Sequence, residues 1–303
     1  MQFQFKVQQY QTDAVHAVVN VFQRQGKNSP AYRMDMGTRR PAMQNLPIQN
    51  NDEDEEDGIG YKNSEITLSA EQLLENIQET QLMHAVVPSQ KLDTSLGACC
   101  LDVEMETGTG KTYVYIKTIF ELHRKYGWSK FIIVVPSIAI REGVKKSLEI
   151  MQQHFFEEYQ EKIRFFVYNS SNLHDIDTFS KNPKINVMII NTQAFAASLK
   201  EGGRSKESRI IYSVRDDFNS RRPIDVIKAN RPILILDEPQ KMGGKATQEA
   251  LQNFNPLFSI NYSATHKTRH NLVYVLDALD AYNKRLVKKI EVKGFEQKNH
   301  MGV

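Results

Sequence analysis

Two short stretches of the 303-residue sequence hold the residue types needed to bind and cleave a nucleoside triphosphate. The first is Glu104-Met105-Glu106-Thr107-Gly108-Thr109-Gly110-Lys111-Thr112. Gly108 and Gly110, with Thr107 and Thr109, let backbone amides turn inward around phosphate oxygens. A helix starting near Lys111 aims its positive end at them, and Lys111 adds a full charge for the β/γ-phosphates. Thr112 offers a hydroxyl to Mg2+. Met105 stands where the longer G-x-x-x-x-G-K-[ST] pattern has its first glycine, so only the shorter T-G-x-G-K-T form is present. The second stretch is Arg231-Pro-Ile-Leu-Ile-Leu-Asp-Glu-Pro-Gln240, where an apolar strand delivers two carboxylates at its C-terminal end, the edge at which α/β sheets bind ligands. Asp237 is suited to hold Mg2+ through water, and Glu238 to orient and deprotonate the attacking water.

The surrounding pattern supplies the elements that must position these residues. Short, nearly continuous apolar runs predict strands at Ala98–Glu104, Lys130–Val135, Ile163–Tyr168, Asn186–Ile190, Pro232–Leu236 and Leu257–Tyr262, as in a parallel sheet covered on both faces. Segments 111–125 and 138–155 read as covering helices. Val7, Tyr10, Ala14, Val18 and Phe22 form an apolar stripe on an early helix over 7–22. Ser69-Ala-Glu-Gln72 reads as a capping box opening a helix through about Met83. The expected fold class is therefore α/β, a mostly parallel sheet with helices on both faces. Residues 26–66, with the acidic block Asp52–Asp57, are expected to be a flexible exposed insertion, and 200–222 a second exposed excursion. The Arg/Lys-rich segment 284–289 is expected as a last strand.

Bulk properties narrow the function class. A hydrophobic fraction of 40% with 25% charged residues excludes disorder throughout, and 39 basic against 36 acidic residues leave a net charge of +3, too small to identify a nucleic-acid binder. Cys99 and Cys100 are adjacent, which suits neither an ordinary disulfide nor the spaced ligands of a structural zinc site. The N-terminus lacks a signal-peptide pattern and no apolar run reaches membrane-spanning length, so the expectation is a cytoplasmic protein with no membrane association. His266 and His270, four apart, invite a metal reading. With no third ligand nearby in sequence, they are expected to be surface or nucleic-acid-facing groups.

The T-G-x-G-K-T loop, Asp237-Glu-Pro-Gln240 and Ser263-Ala-Thr265 resemble motifs I, II and III of superfamily 2 helicases and translocases. With Val134-Val-Pro-Ser-Ile-Ala-Ile-Arg-Glu-Gly143 and Tyr262-Ser-Ala-Thr-His-Lys-Thr-Arg-His-Asn-Leu-Val-Tyr274, the sequence is similar to the restriction (Res) subunit of type III restriction–modification enzymes. That resemblance implies a RecA-like ATPase domain over 67–295, preceded by a Q-motif-like helix region over 1–25 and followed by a tail at 296–303. It implies ATP and Mg2+ as cofactors, DNA as the track, and a methylating modification subunit as partner. Gln11 resembles the glutamine that reads adenine, its carboxamide matching both the donor and the acceptor edge of the base. Pro136, Ser137 and Arg141, with Thr192 and Gln193, fall where motifs Ia and Ib contact the sugar–phosphate backbone. Ser and Thr at such places also serve as plain helix caps. Gln240, Ser263 and Thr265 resemble the link between hydrolysis and movement.

Family members continue into a second RecA-like domain and a nuclease domain, neither of which is found in this sequence. Asp216-Asp217 lacks the strand context of a nuclease site. The chain alone is thus expected to bind MgATP weakly, turn it over slowly and leave DNA uncut. A generic superfamily 2 helicase on DNA or RNA, and an ATP-binding module without turnover, are the alternatives.

Overall fold

The structure, a computed structural model, describes residues 5–37, 58–196 and 206–287, the last segment beginning with backbone only at 206–208. The acidic block Asp52–Asp57 and the tail 296–303 lie outside the described residues.

The N-terminal helix is α1, Gln9–Asn20. Its buried face is wider than the expected stripe: Ala14, Val15, Ala17, Val18 and Val19 are all covered, whereas Val7 precedes the helix and is 53% exposed. The face widens because α1 is wedged between a later helix and the edge of the main sheet. Of the described residues on either side of the acidic block, 26–37 are largely exposed with Met34 buried, whereas Gly60, Asn63 and Ser64 are buried. Ala31–Arg33 (β1) pairs antiparallel with Ile59–Tyr61 (β2). Just beyond, Asn63 is 1% exposed and satisfies both ends of its amide, donating to Lys130 O and Arg231 O and accepting from Ser129 N and Lys130 N. The second helix, α2 (Ala70–Met83), opens with the expected capping box: Ser69 Oγ accepts from Gln72 N and Gln72 Oε1 accepts from Ser69 N.

The body is a seven-stranded, all-parallel sheet. In chain order its elements are β3 (Cys100–Met105), α3 (Lys111–Tyr126), β4 (Lys130–Val135), α4 (Ile138–Tyr159), β5 (Arg164–Val167), α5 (His174–Lys181) and β6 (Asn186–Asn191). They continue with α6 (Lys206–Tyr212), α7 (Pro223–Ala229), β7 (Ile233–Asp237), α8 (Lys245–Gln252), β8 (Ser259–Ser263), β9 (Asn271–Leu276) and α9 (Ala278–Asn283). The strands lie in the order β5-β6-β4-β7-β8-β3-β9. All six expected strands are present, each within two residues of its expected bounds. The seventh is Asn271–Leu276 and not 284–289; residues 284–287 form the turn after α9, and 288–289 lie outside the described residues.

Alternation along the strands builds two cores. Phe131, Ile133 and Val135 of β4, with Ile233 and Ile235 of β7, face α1, α3 and α4. Ile132, Val134, Leu234 and Leu236 face α5, α7 and α8. Segment 206–222 adds to the second core: Phe218 is buried, and Arg221, 5% exposed, pairs with Asp177 of α5 at 2.7 Å. Burying Phe218 and this ion pair is what converts the expected excursion into a packed element. Across β8 and β3 the second face changes character. There Ser259, Asn261, Cys100 and Asp102 point where β4 and β7 carry Leu, Ile and Val. Among the described residues no helix is long and apolar enough to cross a membrane.

Candidate active site

The phosphate-type loop leaves the C-terminal end of β3 and enters α3 at Lys111. Gly108 and Gly110 have φ of 83° and 90°, the left-handed region that glycine enters without a Cβ clash. At Gly110 the demand is double, since a Cβ there would lie 2.5 Å from Gln11 Nε2. Thr107 and Gly108 are exposed, while Thr109 is buried and donates its hydroxyl to Glu106 O at 2.6 Å, closing the turn. From α1, Gln11 Nε2 and Tyr10 Oη both donate to Thr109 O, at 3.1 and 2.9 Å. Gln11 is thus a buried brace on the loop rather than a group on an exposed helix face. Tyr10 is an apolar position in the sequence pattern, which gives no sign of the bond its hydroxyl makes to the loop.

β7 is separated from β3 by one strand and ends at the same sheet edge. Beyond it the chain turns sharply. Glu238 takes φ 59°, a conformation that costs a non-glycine residue roughly 1–2 kcal/mol. Its amide is held by Tyr262 O at 2.9 Å. The turn brings Glu238 Oε1 to 3.1 Å from Lys111 Nζ, which also donates to Met105 O at 3.2 Å. Lys241 approaches the other carboxylate oxygen at 3.8 Å. Gln240 Nε2 donates to Glu238 Oε2 at 2.5 Å. Ser263 Oγ lies 2.8 Å from Gln240 Oε1 and 2.6 Å from Thr265 O, with one proton to give to either, and it accepts from Thr265 N at 3.0 Å. Lys111, Glu238, Gln240, Ser263 and Thr265, far apart in sequence, therefore form one connected chain of contacts.

Asp237 is 7% exposed, and burial together with the neighbouring Glu238 charge pushes its carboxyl up to about 6, against the opposing pull of Lys111 and Lys241. Tyr115, buried in α3, directs its hydroxyl toward Asp237 and Thr112. A carboxylate with a threonine hydroxyl and a phenol oxygen beside it is an all-oxygen set that fits a hydrated Mg2+ ion.

The strand-end residues also come together. β4 and β6 are neighbours, so Pro136 O accepts from Thr192 Oγ1 and Gln193 Nε2, each at 3.3 Å. Arg141 Nη1 donates to Asn191 Oδ1 at 2.9 Å, and Ser137 caps α4, its Oγ accepting from Ile140 N. These groups line the same edge as the loop at Gly108–Lys111.

The two histidines differ from expectation. The His266 side chain is 1% exposed and His270 is half-buried, so neither is an open surface group. The third ligand that sequence spacing lacks is supplied in space: Asp93 and Cys100 present atoms within 4.8 Å of His270. His270 Nδ1, however, lies 3.0 Å from Asp102 Oδ1, and hydrogen bonding to Asp102 and Cys100 pushes the imidazole up to about 11. In its protonated form the ring pairs with the Asp102 carboxylate and has no lone pair for a metal. Asp216 and Asp217 sit on a short 3-10 turn, with Asp217 clasped by Arg215 at 3.0 Å on both oxygens.

The family model for "Type III restriction enzyme, res subunit" matches residues 4–268. The chain belongs to that family. It is 35% identical over 250 residues to the EcoP15I Res subunit of Escherichia coli, covering 75% of this chain and 25% of that one. It is 34% identical over 261 residues to the EcoPI Res subunit of Escherichia phage P1, covering 78% and 26% respectively. The chain therefore spans about a quarter of the length of these relatives. Two solved structures overlap partially, each at 14% identity. The UvsW helicase of bacteriophage T4 has a TM-score of 0.33, covering 62% of this chain and 51% of that one. A nuclease-deletion mutant of the type ISP restriction–modification enzyme LlaGI in complex with a DNA substrate mimic has a TM-score of 0.38, covering 70% and 20%. Family membership and the parallel sheet with its loop-to-helix junction make this an α/β RecA-like domain.

Proposed function

We propose that this domain binds and hydrolyses MgATP to drive DNA translocation in a type III restriction endonuclease, working with a modification subunit. The observation that carries this reading is the 3.1 Å contact between Lys111 of the loop and Glu238 at the end of β7, which brings phosphate-binding and water-activating groups to one sheet edge. In this reading the amides of Thr107–Gly110 wrap the phosphates and Lys111 moves from Glu238 and Met105 O to the β/γ-phosphate oxygens. Phosphate charge competes for the ammonium, so arrival of substrate releases Glu238. The freed carboxylate takes a proton from water as its oxygen bonds to the γ-phosphorus, and the bond to the β–γ bridging oxygen breaks. Thr112 and Asp237 would hold Mg2+, which when bound neutralises the charge developing on the phosphate oxygens. Gln11 would read adenine while bracing the loop through Thr109. Pro136, Ser137, Arg141, Thr192 and Gln193 would meet the DNA backbone, and Gln240, Ser263 and Thr265 would relay the state of the γ-phosphate.

Superfamily 2 motors close ATP between two such domains, and a catalytic arginine from the opposing wall is worth about 10³–10⁵ in rate. The chain by itself is accordingly expected to bind MgATP and turn it over slowly. Titration of the wild-type chain and Lys111→Ala with MgATP, followed by a DNA-stimulated ATPase assay, tests this. Loss of at least about tenfold in affinity is expected for the variant, equivalent to about 1.4 kcal/mol. Equal affinity of the two proteins would remove the reading, and rapid turnover by the wild-type chain alone would remove the two-wall requirement.

A further inference from the structure

The polar face of β8 and β3 has an unusual cover. β8 and β9 run parallel on either side of β3, so the chain leaving Ser263 must return across β3 to reach Asn271. A parallel return of this kind is usually made by a helix over a dozen or more residues. Here the seven residues 264–270 make it, without helix or strand. Ser263 lies level with Glu104 and Asn271 with Leu101, so the return steps back three residue levels, about 10 Å, while crossing two strand spacings of about 4.8 Å. That crossing sets His266 and His270 against Asp102 and Val103 of β3. A backbone amide cannot be covered by Leu or Val without losing its hydrogen bond, and Asp102 meets that need for the His270 amide, while Asn261 and Ser259 bond Asp102 and Cys100 on the same face.

Asp102 is the centre of this arrangement. It is fully buried, accepts from Asn261 Nδ2 at 2.7 Å on one side, and on the other accepts from the His270 backbone amide at 2.7 Å and faces its Nδ1 at 3.0 Å. His266, midway along the return, lies 3.9 Å from Asp102 through Nδ1 and 3.3 Å from Val103 O through Nε2. Burial alone would raise the Asp102 carboxyl, and the two histidines outweigh it and hold it below its ordinary value. Three residues beyond Asp102, the same strand ends at Met105, whose carbonyl receives Lys111 Nζ. At its other end the return begins at Ser263, which holds Gln240 and through it Glu238.

We propose that Asp102 and His270 are a positioning pair, in which a buried carboxylate and its imidazolium tie the 264–270 return to the strand feeding the phosphate loop and so keep Ser263 and Gln240 in register with Lys111. Neither residue touches the substrate. The proposal rests on the ATP-site reading for its purpose and on the geometry of the return for its existence.

The test uses amide hydrogen exchange of this chain, with and without MgATP, in the wild type and in His270→Gln, His270→Lys and Asp102→Asn. His270→Gln removes the cation at a half-buried position where the fold survives; His270→Lys keeps it. The expected result for His270→Gln is exchange about tenfold faster at Thr265, His266 and Gln240–Met242, the far end of the return, with the remaining strands protected as before. His270→Lys restores protection there, and Asp102→Asn, where it folds, resembles His270→Gln. Unchanged exchange at Gln240–Met242 in His270→Gln, or no difference between the Gln and Lys variants, overturns the proposal. Absence of MgATP binding by the wild type would instead strike the ATP-site reading, since the nucleotide-free comparison decides the positioning pair independently.

Discussion

Asp237 provides a test in which stability and function move in opposite directions. Its carboxyl is pushed from 3.8 up to about 6 by burial and by Glu238, so ionising it within the fold costs about 3 kcal/mol. For an acid raised in this way, the folded state is not penalised below pH 3.8; the penalty grows as pH rises and is complete above about 6. At pH 7.5 the nucleotide-free wild type therefore carries a buried charge that Asp237→Asn lacks. The variant should be more stable by about 1–3 kcal/mol, a rise of a few degrees in Tm. The same substitution removes the carboxylate proposed to hold Mg2+, so Mg2+-dependent ATP binding should collapse. In the wild type that Mg2+-dependence should be flat above pH 7 and should weaken by about tenfold per pH unit below about 6, as protons compete for the carboxylate. Differential scanning calorimetry at pH 7.5 and MgATP titrations between pH 5 and 8 supply both measurements. A less stable Asp237→Asn, or Mg2+-dependence that persists unchanged at pH 5, would refute the electrostatic argument.

Two further outcomes are expected. Gln11→Ala removes the carboxamide that braces Thr109 O and is proposed to read adenine; ATP affinity should fall by about tenfold, and GTP affinity should fall less in a parallel titration, because it loses the loop brace but no base contact. Asp177→Ala leaves Arg221 buried and unpaired, so urea denaturation should report a loss of about 3–5 kcal/mol. A loss below about 0.5 kcal/mol, the range of ordinary surface changes, would return segment 206–222 to the status of a loop.

How far the sequence could be read follows from how local each signal is. The phosphate-type loop, the Asp237-Glu238 pair, the capping box at Ser69 and the six continuous apolar strands each lie within about ten residues and carry their own chemistry. They were legible without the fold. β9 lacks such a mark: Asn271–Leu276 follows β8 after only seven residues, too soon for the helical crossover that a parallel neighbour ordinarily needs. Gln11, set apart from Gln8 and Gln9 only by Tyr10, carries no local sign of which glutamine faces inward; packing of α1 against α3 and β9 selects it.

By itself, then, the sequence determined the α/β pattern and the residues suited to nucleotide chemistry, because loop glycines, a lysine at a helix start and carboxylates after an apolar strand act through their immediate neighbours. Only the tertiary structure decided what pairs with what. Lys111 with Glu238, Arg221 with Asp177, and Asp102 with His270 are separated by between 44 and 168 residues. Each exists because burial removes water from one charge and strand order or packing brings an opposite charge within reach. The sequence lists Lys111, Glu238, Arg221, Asp177 and Asp102 among 75 charged residues in all, 39 basic and 36 acidic. It is desolvation, a property of the folded volume, that makes these few matter.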